Sequence, residues 1–412
     1  MSRWQYHALR VPDRAWLDRD LPLSQVSVGP ALSGPYTLKA QIAPEYEFLT
    51  ADDGDLLLAE WGTLLVAERD DHIQGAAIIT STEITGATLS IEAAGITSLA
   101  AGALFESTKT WGGKTGGLTG NGVDPLDVVR YLWDWLQGRP DAGLGVTLGS
   151  TRTGYRLGAW HNARKVDEDG KMGPATEVND PIAFDGPAGA KKPTAARGKA
   201  VYWQHSIGWW DKVEIGARMD ELAKQVPFDY VETAAWTNAD KTDVALGIRF
   251  GYPRVGRKLT APVFIVGENC LEPVPIRRGL DSYANHVVGL GAGEGSKQLR
   301  ASATRRDGRL RRTHTVESTN TTSLAALRSQ VADTLNRARH LADIVSFTAI
   351  DHPNAPLGEY TVGDDVLVVT GPEWQPTRMW VRITALDIDA ATDTVTVTCS
   401  RSDAWDNSGR SA

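Results

Sequence analysis

The chain has 412 residues, of which 42% are hydrophobic and 23% charged, ordinary globular proportions well away from those of a disordered chain. Its formal net charge of -8 argues against a general nucleic-acid binder, which is normally basic. Two cysteines, Cys270 and Cys399, are too few for a disulfide framework and lack metal-ligand spacing, so both are expected as buried thiols. At roughly 100–200 residues per domain, the length predicts two to four domains. No run reaches the roughly 18 consecutive apolar residues of a membrane helix, so no stable membrane insertion is expected. Residues 1–10 lack the apolar centre of a signal peptide. Fourteen Trp exceed what core filling asks for. Their amphipathic rings favour interfaces, and some are expected at assembly contacts.

Residues 24–92 read mostly as strand. Tyr36-Thr-Leu-Lys-Ala40 alternates, Leu56-Leu-Leu-Ala-Glu-Trp61 reads as a strand nearing a turn at Gly62, and Leu64-Leu-Val66 follows. Glu68-Arg-Asp-Asp71 reads as a polar turn, and Ala76–Thr80 leads through Glu83-Ile-Thr-Gly86 into the alternating Thr88-Leu-Ser-Ile-Glu92. A small sheet or barrel is the expected product. The Gly-rich run Trp111 to Gly120 marks a loop or domain edge. A helix should follow, capped by Asp124 with Pro125 in its first turn, apolar at Val128, Val129, Leu132, Trp133 and Leu136, and ended by Gly138 and Pro140.

Residues 167–197, rich in Gly, Pro, Ala and charge, predict an exposed excursion. A second helix is expected over about 212–225, stopped before Pro227, then strands at 228–232 and 244–250. The last third should carry strands at 262–266, 283–290, 365–370, 379–386 and 394–399. The longest helix, about 323–342, is capped by Ser323 and apolar at Leu324, Leu327, Val331, Leu335 and Leu341. Two stretches echo one another: Ile79-Thr-Ser-Thr-Glu-Ile-Thr-Gly-Ala-Thr-Leu-Ser-Ile and Ile383-Thr-Ala-Leu-Asp-Ile-Asp-Ala-Ala-Thr-Asp-Thr-Val-Thr-Val. Each is a strand, a short turn and an alternating Thr-rich strand. A real echo would mean two related β domains with a different one between them.

Chemical motifs fail on inspection. Gly113-Lys-Thr115 resembles the end of a phosphate-binding loop, but Thr108 stands where its first Gly belongs. In Gly289-Leu-Gly-Ala-Gly-Glu-Gly295, Glu294 takes the place of the final Gly of a dinucleotide fingerprint, leaving a flexible hairpin tip. Asp167-Glu-Asp-Gly170 lacks the Gly and closing Glu of a calcium loop, since Met172 and Val178 stand there, and Asp52-Asp-Gly-Asp55 reads as a turn. The eight His show no ligand spacing, and no Gly-x-Ser-x-Gly elbow occurs. No catalytic, cofactor-binding or metal residue is therefore assigned. Arg305, Arg306, Arg309, Arg311 and Arg312 form a basic cluster, expected as a β-hairpin around Asp307-Gly308. Arg309 and Arg311 would face one side and Leu310 and Arg312 the other, serving subunit contacts rather than DNA.

The segment from Tyr283 to Gly295, then Leu299-Arg-Ala and Gly308-Arg-Leu-Arg-Arg312, resembles the minor tail proteins of phages that infect actinobacteria. Asp124-Pro-Leu-Asp-Val-Val-Arg-Tyr-Leu-Trp133 and Tyr360-Thr-Val-Gly-Asp-Asp-Val366 carry the same resemblance, which runs from about Ser24 to the end and rests on pattern and order. That family is similar to the hubs of siphophage tail tips and of contractile-tailed phages. The resemblance implies a mainly β (β+α) fold: two tail-tube-like β-barrel domains with a mixed α/β domain between them. The corresponding division is an N-terminal arm, 1–23, a first β domain, 24–107, a middle domain, 108–243, and a second β domain, 244–412, with a short C-terminal tail.

The resemblance also implies a non-enzymatic homotrimer at the tail tip of the virion, assembled in the host cytoplasm. Three copies of two similar barrels give six quasi-equivalent positions, matching a six-fold tube above and three-fold components below. Its implied partners are the distal tail protein, tail tube, tape measure and other tail-tip or fibre proteins, with phage DNA only in transit, and its implied role is attachment and genome delivery. No cofactor is implied. The rival readings are a tail-associated peptidoglycan hydrolase, whose carboxylate pair would be spatial rather than sequential, and a direct carbohydrate-binding tail protein.

Overall fold

The computed structural model describes residues 3–402 except Pro12, 52–53, 113–122, 155, 158–182, 185–203, 227, 273, 279–282, 294, 296–297, 319–323, 339–341 and 372–375. The fold is mainly β, with large antiparallel sheets. The chain opens with β1 (Trp4–Arg10), β2 (Trp16–Asp18), β3 (Ser24–Gly29) and β4 (Thr37–Ile42). β5 (Thr63–Arg69), β6 (His72–Thr85) and β7 (Thr88–Ala94) complete the first β region. In space these run β3-β4-β7-β6-β5-β1-β2, antiparallel throughout.

The segment expected as an N-terminal arm, 1–23, is instead built into this sheet, with β1 paired to β5 from Trp4↔Arg69 to Arg10↔Thr63. Burial on both faces hid the strand. Leu9 enters one apolar cluster and Ala8 another, and β5 likewise sends Leu64 and Val66 one way and Leu65 and Ala67 the other. Such a strand shows no alternation in its sequence. Glu68 and Arg69, expected in a polar turn, lie buried at the end of β5. Only Asp70 and Asp71 turn, with φ of 49° and 66°, the double positive φ of a type I′ hairpin. Leu56 makes one bridge, to Thr50, and the expected strand after it is a run of bends and turns.

The middle layer contains β8 (Lys109–Gly112), α1 (Pro125–Gln137), β9 (Thr147–Leu148), β10 (Arg156–Leu157), β11 (Ala183–Phe184), β12 (Gln204–Ile207), α2 (Ile215–Gln225), β13 (Asp229–Trp236) and β14 (Val244–Gly251). Asp124 caps α1 as expected, its side chain accepting the Leu126 N–H at 2.9 Å. α2 begins three residues later than expected because Lys212 adopts a left-handed φ of 49°. Both helices pack with β13 and β14 on the face of the first sheet that carries Leu9, Leu64 and Ile78. Val244, expected to open the second β domain, pairs with Trp236, and the pairing runs to Asp229↔Gly251. β14 therefore belongs with β13 in the middle layer. The excursion expected over 167–197 lies outside the described residues, except that β11 pairs in parallel with β10.

Beyond it come β15 (Lys258–Ile265), β16 (Arg277–Arg278), β17 (His286–Leu290), β18 (Arg300–Thr304), β19 (Thr313–Glu317), α3 (Leu324–Ala338), β20 (Ala342–Asp343), β21 (Ser346–Ile350), β22 (Asp365–Thr370), β23 (Thr377–Asp389) and β24 (Thr394–Arg401). β15-β22-β23-β24-β21 forms a second β region, and β23 also pairs with β3 through Ile388↔Val28, so both regions share one sheet. The helix expected over 323–342 spans only α3. Ser323 lies outside the described residues, and β20 pairs with β16 instead of continuing the helix. A Cβ at Gly289 would come within 2.4 Å of Val331, so glycine in β17 lets α3 lie close on β17, β18 and β19.

The two β regions are built alike. β4, β5, β6 and β7 stand in the order β4-β7-β6-β5, and β21, β22, β23 and β24 in the order β21-β24-β23-β22. The sequence echo extends to detail. A bulge leaves Thr80 unopposed between Ile79 and Ser81, and another leaves Thr384 unopposed between Ile383 and Ala385. The Thr80 hydroxyl donates to the Glu92 carbonyl and that of Thr384 to the Thr398 carbonyl, both at 3.1 Å. Five residue pairs lie beyond each bulge. The likeness ends at the next strand, where β1 is antiparallel to β5 but β15 is parallel to β22.

Candidate functional site

The side chains that organise this molecule lie at the joints between its regions, and β13 holds two of them. Arg382 of β23, 1% exposed, donates from Nη2 to Asp229 Oδ2 at 2.5 Å and to the Val255 carbonyl at 2.8 Å. Its Nε donates to the Gly363 carbonyl at 3.1 Å, so the buried guanidinium is paired and hydrogen-bonded. Three residues along β13, on the opposite face by strand alternation, Glu232 reaches the first β region. Its Oε1 accepts the Thr97 N–H at 2.6 Å and the Thr97 hydroxyl, and its Oε2 accepts the Tyr36 N–H at 3.2 Å. A Cβ on Gly95 would sit 1.8 Å from that Oε2, so only glycine permits the approach. Burial pushes the Glu232 carboxyl above the usual carboxylate range, against the pull of these hydrogen bonds.

A third joint runs directly between the β regions. Arg69 at the end of β5 donates to Asp351 at 2.6 Å and to the Leu357 carbonyl at 3.3 Å, and lies 3.6 Å from Asp393. Asp393, in the β23–β24 turn, also accepts the Trp4 indole N–H at 3.1 Å. Beside it, buried Glu68 takes Lys241 at 2.6 Å and His7 at 3.2 Å. Nothing in the local sequence signals these joints, because their partners lie far along the chain.

The five clustered arginines occupy a loop, not a hairpin. β18 and β19 flank β17 on opposite edges, β19 in parallel, so residues 305–312 cross over the His286 end of β17. The expected alternation of Arg309 and Arg311 against Leu310 and Arg312 therefore does not arise, and all five arginines are exposed. Buried Asn285 fixes the loop. Its carbonyl accepts the Arg305 N–H at 2.8 Å, its Oδ1 accepts the Arg312 N–H at 2.8 Å, and its Nδ2 donates to Asp307 at 3.1 Å and to the Leu310 carbonyl at 3.2 Å. The hydrogen bonds from Tyr283 and Asn285 hold the Asp307 carboxyl well below the usual range.

Among the described residues, exposed large apolar side chains cluster in two further places. Phe48, Leu49, Leu56 and Trp61 lie on the connection from β4 to β5, and Ile84 lies near the β6–β7 tip. Trp209 and Trp210 pack edge to face, their rings at 79°, before α2, and both are more than half exposed. The interface reading of the Trp surplus thus fits Trp61, Trp209 and Trp210, whereas Trp133 is core.

Of the chemical motifs, Gly113-Lys-Thr115 and Asp167-Glu-Asp-Gly170 lie outside the described residues. Among the described residues, which leave out 294, 296 and 297, the Gly289–Gly295 run leads from β17 to the antiparallel strand β18, not into the α-helix that a dinucleotide fingerprint requires. Asp55 is ion-paired with Arg10 at 2.6 Å. Cys270 and Cys399 are buried and unbridged, as expected. Among the described residues no three His, Cys, Asp or Glu side chains gather to hold a metal.

Known proteins resemble this chain in fold while sharing little sequence. No family model and no curated protein matches it. The crystal structure of the 43 kDa tail protein of prophage MuSo2 from Shewanella oneidensis superposes with a TM-score of 0.57 at 11% identity, covering 98% of this chain and 100% of that one. The prophage tail protein gp18 from Listeria monocytogenes gives 0.53 at 10% identity, over 96% and 94% of the two chains. The tail protein from Neisseria meningitidis MC58 gives 0.51 at 14%, over 97% and 98%. The chain thus has the fold of phage and prophage tail proteins, over nearly the whole length of each.

Proposed function

We propose that this protein is a structural, non-enzymatic minor tail protein forming the tail-tip hub of a long-tailed phage of actinobacteria. One observation carries the reading: the fold matches the Shewanella prophage tail protein end to end, 98% of one chain against 100% of the other. The repeated strand order and the two matching bulges support it, because a duplicated β frame is what three copies need to present six quasi-equivalent positions. In this reading three copies form a ring that joins a six-fold tail tube to three-fold tip components. The distal tail protein, tape measure and fibre proteins are its neighbours, and DNA passes only in transit. The two β regions and the middle layer are joined to one another through Arg382, Glu232 and Arg69.

The test is genetic and visual. Phage lacking this chain should make filled heads without functional tails, and a tagged chain should label one end of the tail. Normal tails in its absence, or label along the tube or on the head, would refute the assignment. Hydrolysis of host cell wall by the purified chain, lost on substituting one carboxylate pair, would replace it with the enzymatic reading.

A further inference from the structure

We infer that the arginine loop of one copy docks on the acidic, apolar end of the first β region of the next, joining copies head to tail. This rests on the hub reading only for the number of copies in the ring. The loop is built to present charge. It spans two strand spacings, about 10 Å, over the end of β17, and Asn285 and Asp307 fix its backbone before any partner arrives. From Arg300 to Arg312 the chain carries six Arg against a single Asp, in a protein of net charge -8. Among the described residues no carboxylate lies within ion-pair reach of Arg305, Arg306, Arg311 or Arg312. Leu310 at its centre is 90% exposed.

The complementary surface lies in the other β region. Residues 43–62 contain six carboxylates and no Lys or Arg, and residues 79–92 contain two and none. The fold joins these stretches, for the Trp61 N–H donates to the Ile79 carbonyl at 2.7 Å and the Thr82 hydroxyl donates to Glu60. The result sets exposed Phe48, Leu56, Trp61 and Ile84 among exposed Glu45, Glu60 and Glu83. Apolar anchors ringed by charge fit a basic loop that carries one exposed leucine.

The chain already contains the same kind of contact. The β23–β24 turn brings Asp393, beside Asp351, to Arg69 of the first region. The twin hairpin β6–β7 extends equally far beyond its bulge, yet its tip residues Glu83 to Ala87 are all exposed. Because both proposed surfaces are exposed in one chain, their union needs a second copy. Two different patches make the contact heterologous, and such a contact closes into a ring when the rotation between copies closes and otherwise runs on as a filament. Guanidinium–carboxylate pairs there fix orientation more than they add affinity.

Cysteine trapping tests this in the full-length chain, where Cys270 and Cys399 are buried and leave little background. Leu310→Cys with Ile84→Cys should, on mild oxidation, give a covalent ladder ending at three chains, in purified protein and in tails, absent from either single variant. No ladder in assembled tails, or a bond within one chain, overturns the inference. A ladder running past three supports the docking surface and overturns only the three-copy reading. Arg309→Glu with Arg311→Glu should weaken self-association about tenfold at low salt without changing thermal unfolding. Copies carrying Glu60→Arg and Glu83→Arg should restore it. Arginine variants that associate normally but lose binding to duplex DNA overturn the inference in favour of a polyanion contact.

Discussion

The β6–β7 and β23–β24 hairpins share a bulge, a threonine hydrogen bond and a length, but they are used in opposite ways. Immediately before the bulged pair, the first hairpin carries Ile78 and the second Arg382. Ile78 joins the apolar cluster beneath α1 and α2, while Arg382 crosses to Asp229. At the tips, the first has two exposed residues, Gly86 and Ala87, and the second a four-residue turn whose Asp393 holds Trp4 and Arg69. The ladder and the bulge, which the two hairpins share, are backbone properties. The side chain one position away is free to make an apolar joint in one copy and an ionic joint in the other. β13 serves both, with Asp229 towards one region and Glu232 towards the other.

Breaking the ionic joint should have the largest effect. Arg382→Ala leaves Asp229 without its guanidinium and strands the Gly363 and Val255 carbonyls, so a loss of about 3–5 kcal/mol is expected from chemical unfolding of the second region. Glu232→Ala should cost less, about 1–3 kcal/mol, by orphaning the Thr97 and Tyr36 N–H groups. Its pH dependence has a definite sign. Because burial raises the folded carboxyl above its ordinary 4.5, Glu232 contributes fully below that value and progressively less as pH rises through the folded one. The cost of Glu232→Ala, measured by unfolding at a series of pH values, should therefore shrink as pH rises. A cost that grows would mean that the hydrogen bonds outweigh burial.

The smallest effect sharpens the comparison most. Thr80→Val and Thr384→Val each remove one hydroxyl donor to a strand carbonyl, and each should cost about 0.5–1.5 kcal/mol. Equal costs would mark the two bulges as energetic as well as geometric twins, and a large difference would limit the likeness to the backbone.

Much of this frame is legible in the sequence because local signals carry it. β22 starts and ends where alternation places it, Asp124 caps α1, and the Ile79 and Ile383 echo marks the two like hairpins. What fails does so for want of a local signal. β1 and β5 are buried on both faces and hide their period, and Glu68 and Arg69 look like a turn until Lys241 and Asp351 are placed beside them. The arginine loop looks like a hairpin because Asp307-Gly308 is a turn signal, and a parallel β17–β19 pairing leaves no local mark. Of the docking surfaces, only the charge cluster is readable. Its rigidity comes from Asn285, whose role requires the fold.

Symmetry-free image reconstruction of intact tails with this chain tagged decides the copy number and place of the proposed hub. Three copies in one ring at the tail tip are expected, with six similar β regions around the axis. Six copies in the ring, or copies repeated along the tube, would overturn the hub assignment.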